Sequence, residues 1–184
     1  MFAKSSKILI TGATGFVGSY VLRKLTAEGY SNIICTRRVD SSLELTTGIE
    51  GFEWVDGDIM DVCFLDDITK NVDIIIHAAA IVTFDPRSFK KMISTAMEGT
   101  ANLVNVALDN QVSKFIHISS IAAIGRRRKE ERISEKNIFS KSQYDTTYGL
   151  SKFLAEQEVW RGHAEGLNTT ILNPSMILGA GRWQ

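Results

Sequence analysis

The sequence is short of several things that would otherwise steer its reading. Only two of its 184 residues are proline, so little in it interrupts regular strands and helices. Its two cysteines, Cys35 and Cys63, are too few for a disulfide-stapled scaffold and read as small buried hydrophobes in a reducing compartment. There is no surplus of charge: 21 lysines and arginines stand against 21 aspartates and glutamates. A nucleic-acid binder carries a basic surplus and a polyacidic tail an acidic one, so both classes are excluded. No apolar run approaches the roughly 18–20 residues of a membrane span. The opening MFAKSSKILITG holds no signal-peptide core. The three histidines, His77, His117 and His163, lack metal-ligand spacing, and no metal is expected. The expectation is a soluble, cytoplasmic protein with no nucleic-acid or membrane partner. What is present is ordinary: 44% hydrophobic and 23% charged residues, enough for one sizeable core.

Short apolar runs alternate with longer helical stretches. KILIT (7–11), NIICT (32–36), FEWVDG (52–57), VDIIIHA (72–78), KFIHIS (114–119) and TTILNP (169–174) read as strands. Phe16, Val17, Tyr20, Val21 and Leu25 recur at helical spacing, with Gly29 as a stop. Further helices are expected over about 61–70, 88–109 and 146–163. Residues 120–143, with the charge run RRRKEER (126–132), break the rhythm and read as a long loop. Loops of that length in compact domains are often functional. Strands alternating with helices give an α/β class, a doubly wound parallel sheet of the Rossmann kind with helices on both faces.

Between the first strand and first helix lies Thr11-Gly12-Ala13-Thr14-Gly15-Phe16-Val17-Gly18, a G-x-x-G-x-x-G turn. Glycines there permit a tight turn, close approach of backbone to a pyrophosphate, and close helix–strand packing. The helix N-terminus adds N–H donors and partial positive charge. Gly12, Thr14, Gly15, Phe16, Val17 and Gly18 are the candidate phosphate contacts. At the end of the second strand an acidic residue would bind ribose hydroxyls of NAD. Here Thr36 is followed by Arg37 and Arg38, with no acid until Asp40. A guanidinium suits a 2′-phosphate, so the expected cofactor is NADP with Arg37 as its main contact. NAD, with both arginines merely solvated, is the alternative.

Tyr148 and Lys152 form Y-x-x-x-K, which on a helix places phenol and ammonium on one face. The lysine is expected to lower the tyrosine pKa from its usual value near 10 and make it a usable acid or base. Tyr20 and Lys24 show the same spacing but follow the glycine turn directly and are assigned to packing and surface. Ser119 and Ser120 end the fifth strand, where a hydroxyl could bind a substrate oxygen.

Together these residues resemble the extended short-chain dehydrogenase/reductase family, which includes epimerases, dehydratases and dihydroflavonol reductase-like enzymes. The similarity covers essentially the whole chain. TGATGFVG is similar to the family's opening motif. Asp58 and Ile59 resemble its adenine-contacting segment. Ala78 and Ala79, after His77, resemble the turn beside the pyrophosphate and nicotinamide ribose. Pro174, in Asn173-Pro174-Ser175, resembles the nicotinamide-side loop. Counting back from Gly125, the resemblance places Ser120 rather than Ser119 in the catalytic position, beside the catalytic pair Tyr148 and Lys152. One departure is Ala96, where the family often has asparagine; a proton relay or kink through that side chain is not expected here.

The resemblance implies hydride transfer between nicotinamide and a carbonyl or secondary alcohol of a small molecule. Tyr148 would be the acid/base, Lys152 its tuner and the ribose contact, and Ser120 the group orienting the substrate oxygen. The alternatives are a sugar-nucleotide epimerase or dehydratase with tightly held NAD, and a non-catalytic NADP-binding regulator. It also implies pairing of two copies through the long helix and the tyrosine helix. Family members usually continue well over a hundred residues past the Asn-Pro loop. Residues 1–184 are therefore expected to be the cofactor-binding part of a longer enzyme, with Trp183 awaiting a partner downstream.

Overall fold

Residues 2–124, 134–135 and 146–181 are described by the structure, a computed structural model; Gly125, the run RRRKEER and Trp183 lie outside them. Six strands, β1 (Ile8–Thr11), β2 (Ile33–Arg37), β3 (Glu53–Asp56), β4 (Ile74–His77), β5 (Lys114–Ile118) and β6 (Thr169–Leu172), form one sheet in the order β3-β2-β1-β4-β5-β6. Each neighbouring pair is parallel. The helices are α1 (Phe16–Ala27), α2 (Val62–Thr69), α3 (Phe89–Asp109) and α4 (Thr147–Ala164). This is the doubly wound α/β architecture that the alternating pattern implies.

The strands read as unbroken apolar runs because both their faces are covered. Leu9, Ile75 and Phe115 point to one side, onto Leu65 of α2, Leu103, Val104 and Ala107 of α3, and Val159 of α4. Ile8, Ile10, Ile33, Cys35, Ile74 and Ile76 point to the other, onto Leu22 of α1. Met92, also fully buried, completes the inner face of α3, whereas Trp160 on α4 is exposed. Cys35 is buried, and burial pushes its thiol up to about 12. Cys63, expected to be buried too, is exposed at the start of α2; a small residue in a first turn can face water without cost to the core.

The helices begin slightly later than the apolar pattern indicates, since the capping residue itself is not helical. Asp61 Oδ1 accepts from the Phe64 N–H (3.0 Å), and Thr146 Oγ1 accepts from the Gly149 N–H (3.0 Å). At the start of the expected long loop, Ile121–Ile124 wind into a short 3-10 turn. No helix among the described residues is long and apolar enough to cross a membrane.

Chain order reverses at β1, which has β2 on one side and β4 on the other. A crevice at the carboxyl ends of the strands follows from that reversal. The register aligns those ends: Thr11 opposite Thr36 and His77, His77 opposite His117, Ile118 opposite Leu172.

Candidate active site

The glycine turn closes β1 onto α1. Gly12 has φ +74°, and a Cβ there would lie 2.5 Å from the Ala79 backbone nitrogen. A Cβ at Gly18 would run into the Gly12 carbonyl. Both positions therefore exclude any side chain, one for the approach of the loop after β4 and the other for the tightness of the turn. Gly15 donates to the Gly12 carbonyl (3.0 Å) and forms the N-cap of α1, where no side chain occupies the first-turn N–H groups. Those donors are left for a ligand.

Two adjoining cavities open over this turn. The larger, about 420 Å³, is lined by Gly12, Thr14, Gly15, Arg37, Asp58, Ile59, Ala78 and Ala79, among others. The smaller, about 250 Å³, is lined by Phe16, Val17, Gly18, Ser120, Tyr148, Lys152 and Pro174, and shares Gly12, Gly15, Ala78, Ala80 and Val82 with the first. Every residue singled out for the cofactor or for catalysis thus lies on the wall of one continuous crevice. Its two lobes, joined at a side-chain-free turn that presents helix donors, fit the two halves of a dinucleotide.

In the first lobe, Arg37 Nε donates to Asp56 Oδ1 (2.7 Å), and its guanidinium lies 5.5 Å from the centre of the Trp54 ring. Arg38 and Ser41, and Lys91 and Thr95 of α3, also line this lobe. Asp58 Oδ1 accepts from the Met60 N–H (3.0 Å), which fixes the carboxyl at the rim.

In the second lobe, the Ser120 hydroxyl, which accepts from the Ala122 N–H (3.2 Å), stands near the Tyr148 phenol. Burial raises the Tyr148 phenol above its ordinary value, and the neighbouring Ser120 hydroxyl only partly offsets that rise. The expected lowering by Lys152 is therefore reversed. The Lys152 ammonium, 6% exposed, donates instead to the Ile118 carbonyl (3.0 Å) at the end of β5. Burial brings this ammonium down to about 8, against an upward pull from Glu156. Glu156, one turn further along α4, accepts from Asn173 Nδ2 (2.6 Å), and Asn173 also donates to the Ser120 carbonyl (3.1 Å). Burial raises the Glu156 carboxyl, while Ser119, Asn173 and Lys152 pull it down. The Ser119 hydroxyl stands near that carboxyl without well-formed hydrogen-bond geometry.

Beneath the crevice is a layer of buried polar groups. Thr11 Oγ1 lies 2.7 Å from His77 Nδ1, and His77 Nε2 lies 3.1 Å from Thr100 Oγ1. The Thr100 hydroxyl donates to the Ala96 carbonyl, so it accepts from His77, and the imidazole proton belongs on Nε2. Ala96, at the helix position where the family often has asparagine, thus contributes its carbonyl to Thr100. Burial, and then Lys152, bring His77 down to about 3; burial, His77 and Lys152 hold His117 well below its ordinary value. Both are neutral packing residues. Tyr20 is as the sequence indicated, its hydroxyl on the Ala180 carbonyl (2.8 Å) and Lys24 paired with Glu28.

The sequence reading missed Asp56, Glu156 and the cross-linking role of Asn173. Glu156 carried a signal, since Tyr148, Lys152 and Glu156 repeat every four residues along one helical face. Asp56 carried none, because its contact with Arg37 depends on the pairing of β2 with β3.

Comparison with known proteins agrees with this geometry. The model of the NAD dependent epimerase/dehydratase family matches residues 8–184. Cinnamoyl-CoA reductase 1 of Petunia hybrida is 27% identical over 184 residues, covering 94% of this chain and 54% of that protein. A putative dihydroflavonol 4-reductase of Synechocystis is 27% identical over 180 residues, covering 96% of this chain and 51% of that protein. Among solved structures, gox2253 superposes with a TM-score of 0.83 at 36% identity, over 92% of this chain and 51% of that one. A dTDP-glucose 4,6-dehydratase of Streptomyces venezuelae, with NAD bound, does so with 0.79 at 26% identity, over 90% and 54%. The chain spans about half the length of the relatives it matches. On these matches, the chain belongs to the NAD dependent epimerase/dehydratase family, within the extended short-chain dehydrogenases/reductases.

Proposed function

We propose that the full-length protein is an NADP(H)-dependent oxidoreductase acting on a carbonyl or secondary alcohol of a small molecule. The observation that carries this reading is the meeting of Ser120, Tyr148 and Lys152 on the wall of the crevice that the glycine turn opens. A bound nicotinamide nucleotide would supply or accept the hydride. Tyr148 serves as the proton donor to the substrate oxygen: its raised pKa keeps the phenol protonated through neutrality, which suits carbonyl reduction. Ser120, beside the phenol, orients that oxygen. Lys152 holds the ribose hydroxyls and supplies positive charge beneath the reacting atoms. Gly12, Thr14, Gly15 and the first turn of α1 cradle the pyrophosphate. Arg37 and Arg38, with no carboxylate at the end of β2, favour a 2′-phosphate and hence NADP over NAD.

A second reading is an epimerase or dehydratase that retains NAD through turnover. The likeness to the NAD-bound Streptomyces dehydratase favours it. Releasing and identifying the nucleotide carried by purified full-length protein separates the two: exchangeable NADP supports the reductase, tightly held NAD the alternative. In the same protein, Tyr148→Phe should lower kcat by about 10²–10⁴-fold while leaving the NADPH dissociation constant within a few-fold. Near-normal turnover in that variant rules out Tyr148 as the proton donor.

A further inference from the structure

Lys152 poses a problem of charge that the catalytic reading leaves unsolved. An ammonium taken out of water strongly favours losing its proton unless an opposite charge stands near. Lys152 is 6% exposed, and among the described residues its hydrogen bond goes to a neutral acceptor, the Ile118 carbonyl. The titratable groups around it are Tyr148 and Glu156 on its own helix, His77 on β4 and His117 on β5. The histidines are neutral and the phenol is protonated, so among the described residues Glu156 is the one anion in this group. Its carboxylate is held by Asn173 Nδ2, whose second bond is to the Ser120 carbonyl. Asn173, on the segment after β6, therefore links the carboxylate on helix α4 to the segment after β5.

We infer that Glu156 is a positioning residue for Lys152: its carboxylate, pinned by Asn173, compensates the buried ammonium and keeps it charged where the cofactor ribose and Tyr148 need it. This deepens the proposed function and rests on its reading of Lys152 as a working group. It assigns Glu156 no contact with substrate or cofactor. The arrangement also couples charge to shape. A shift of the Ser120 segment or of the Asn173-Pro174 segment would free the carboxylate from Asn173 and change the charge that faces the ammonium.

Glu156→Gln tests this, because the amide oxygen can still accept from Asn173 while the charge is gone. The full-length enzyme is labelled with [15Nζ]lysine, the Lys152 signal is assigned by its loss in Lys152→Met, and its titration is followed by NMR. The Lys152 midpoint should fall by about one pH unit or more in Glu156→Gln. NADPH binding should weaken more at pH 8 than at pH 6 in the variant. A midpoint equal to wild type overturns the inference. A midpoint that moves in a protein without turnover keeps the inference and sinks the catalytic reading; a fixed midpoint in an active enzyme does the reverse. Should Glu156→Gln fail to fold, Lys152→Met combined with Glu156→Gln should restore folding, since no buried ammonium then needs compensation. A double variant that still fails to fold overturns the inference.

Discussion

Arg37 reaches the crevice with one edge of its guanidinium already engaged by Asp56 and one face near Trp54. The pair is only partly buried, its side chains 27% and 48% exposed, so it adds little to stability, about 0–1 kcal/mol. Its consequence is orientation: a fixed fork binds a dianionic phosphate with less loss of side-chain freedom than a solvated one. Replacing Arg37 by Asp would set two carboxylates side by side, so Arg37→Gln is the cleaner probe. It should weaken NADPH binding by about tenfold or more, the size of one charge-assisted hydrogen bond, and leave NADH binding within a few-fold. Fluorescence titration with both nucleotides measures the ratio, and an unchanged ratio removes Arg37 from cofactor selection. At this scale the sequence was informative wherever function depends on residues close together in the chain, as in the glycine turn and Tyr148 with Lys152. It was silent on Asp56 and Asn173, whose contacts join different strands and segments. It misjudged the Tyr148 phenol because burial, which raises its pKa, is invisible in spacing.

Strand and helix identity was largely legible for a physical reason. Strands buried on both faces cannot alternate, so they appear as runs such as KILIT and VDIIIHA, and the helices between them are amphipathic. Helix ends fall within about a residue of those the pattern indicates, but the way a helix ends was legible only where the terminating residue advertises itself. Gly29, at φ +83°, ends α1 with its N–H on the Thr26 carbonyl and the Tyr30 N–H on that of Leu25, a Schellman motif. α3 ends in the same way, with the Gln111 N–H on Leu108 and the Val112 N–H on Ala107, but there the left-handed residue is Gln111, at φ 53°. Glutamine has no preference for that region, so although the apolar pattern ends the helix at the right place, nothing in the sequence marked its left-handed turn. The left-handed conformation costs a side-chain-bearing residue about 1–2 kcal/mol, while glycine gives back about 0.4–1 kcal/mol through greater freedom of the unfolded chain. Gln111 is exposed, so Gln111→Gly should raise stability by roughly 0.5–1 kcal/mol on balance. A urea midpoint that falls in this variant would mean that α3 does not end in the way described.

For the molecule as a whole, the buried polar layer under the crevice makes folding sensitive to acid. The hydrogen bonds from Thr11 to His77 and from His77 to Thr100 fit only a neutral imidazole, and His117 lies beside it, ring centres 5.2 Å apart, with neither of its nitrogens in a hydrogen bond among the described residues. Both histidines titrate far below 6.5 in the folded protein, His77 at about 3, and near 6.5 when unfolded. Below pH 6.5 the unfolded chain therefore binds protons that the folded one refuses. Stability is fully present above that pH and falls as pH drops toward the folded values, by up to about 1.4 kcal/mol per pH unit for each histidine. Glu156, whose carboxyl is raised, works in the opposite sense over the lower part of this range. The lowered carboxyls of Glu28 and Asp85 lose their contribution only as pH falls through the carboxylate range, so pH 6.5 to 5 is the clean window. His117→Phe isolates one histidine's share. The ring nitrogens give up no recorded hydrogen bond, and an apolar ring of similar shape removes two unsatisfied polar atoms, so the variant should be at least as stable as wild type at pH 7.5. Between pH 6.5 and 5 its unfolding free energy, from urea titrations at each pH, should fall about half as steeply as in wild type. An equal slope in the two proteins would mean that His117 accepts a proton in the folded state, and that the layer beneath the crevice holds a charge that its burial and its neighbours argue against.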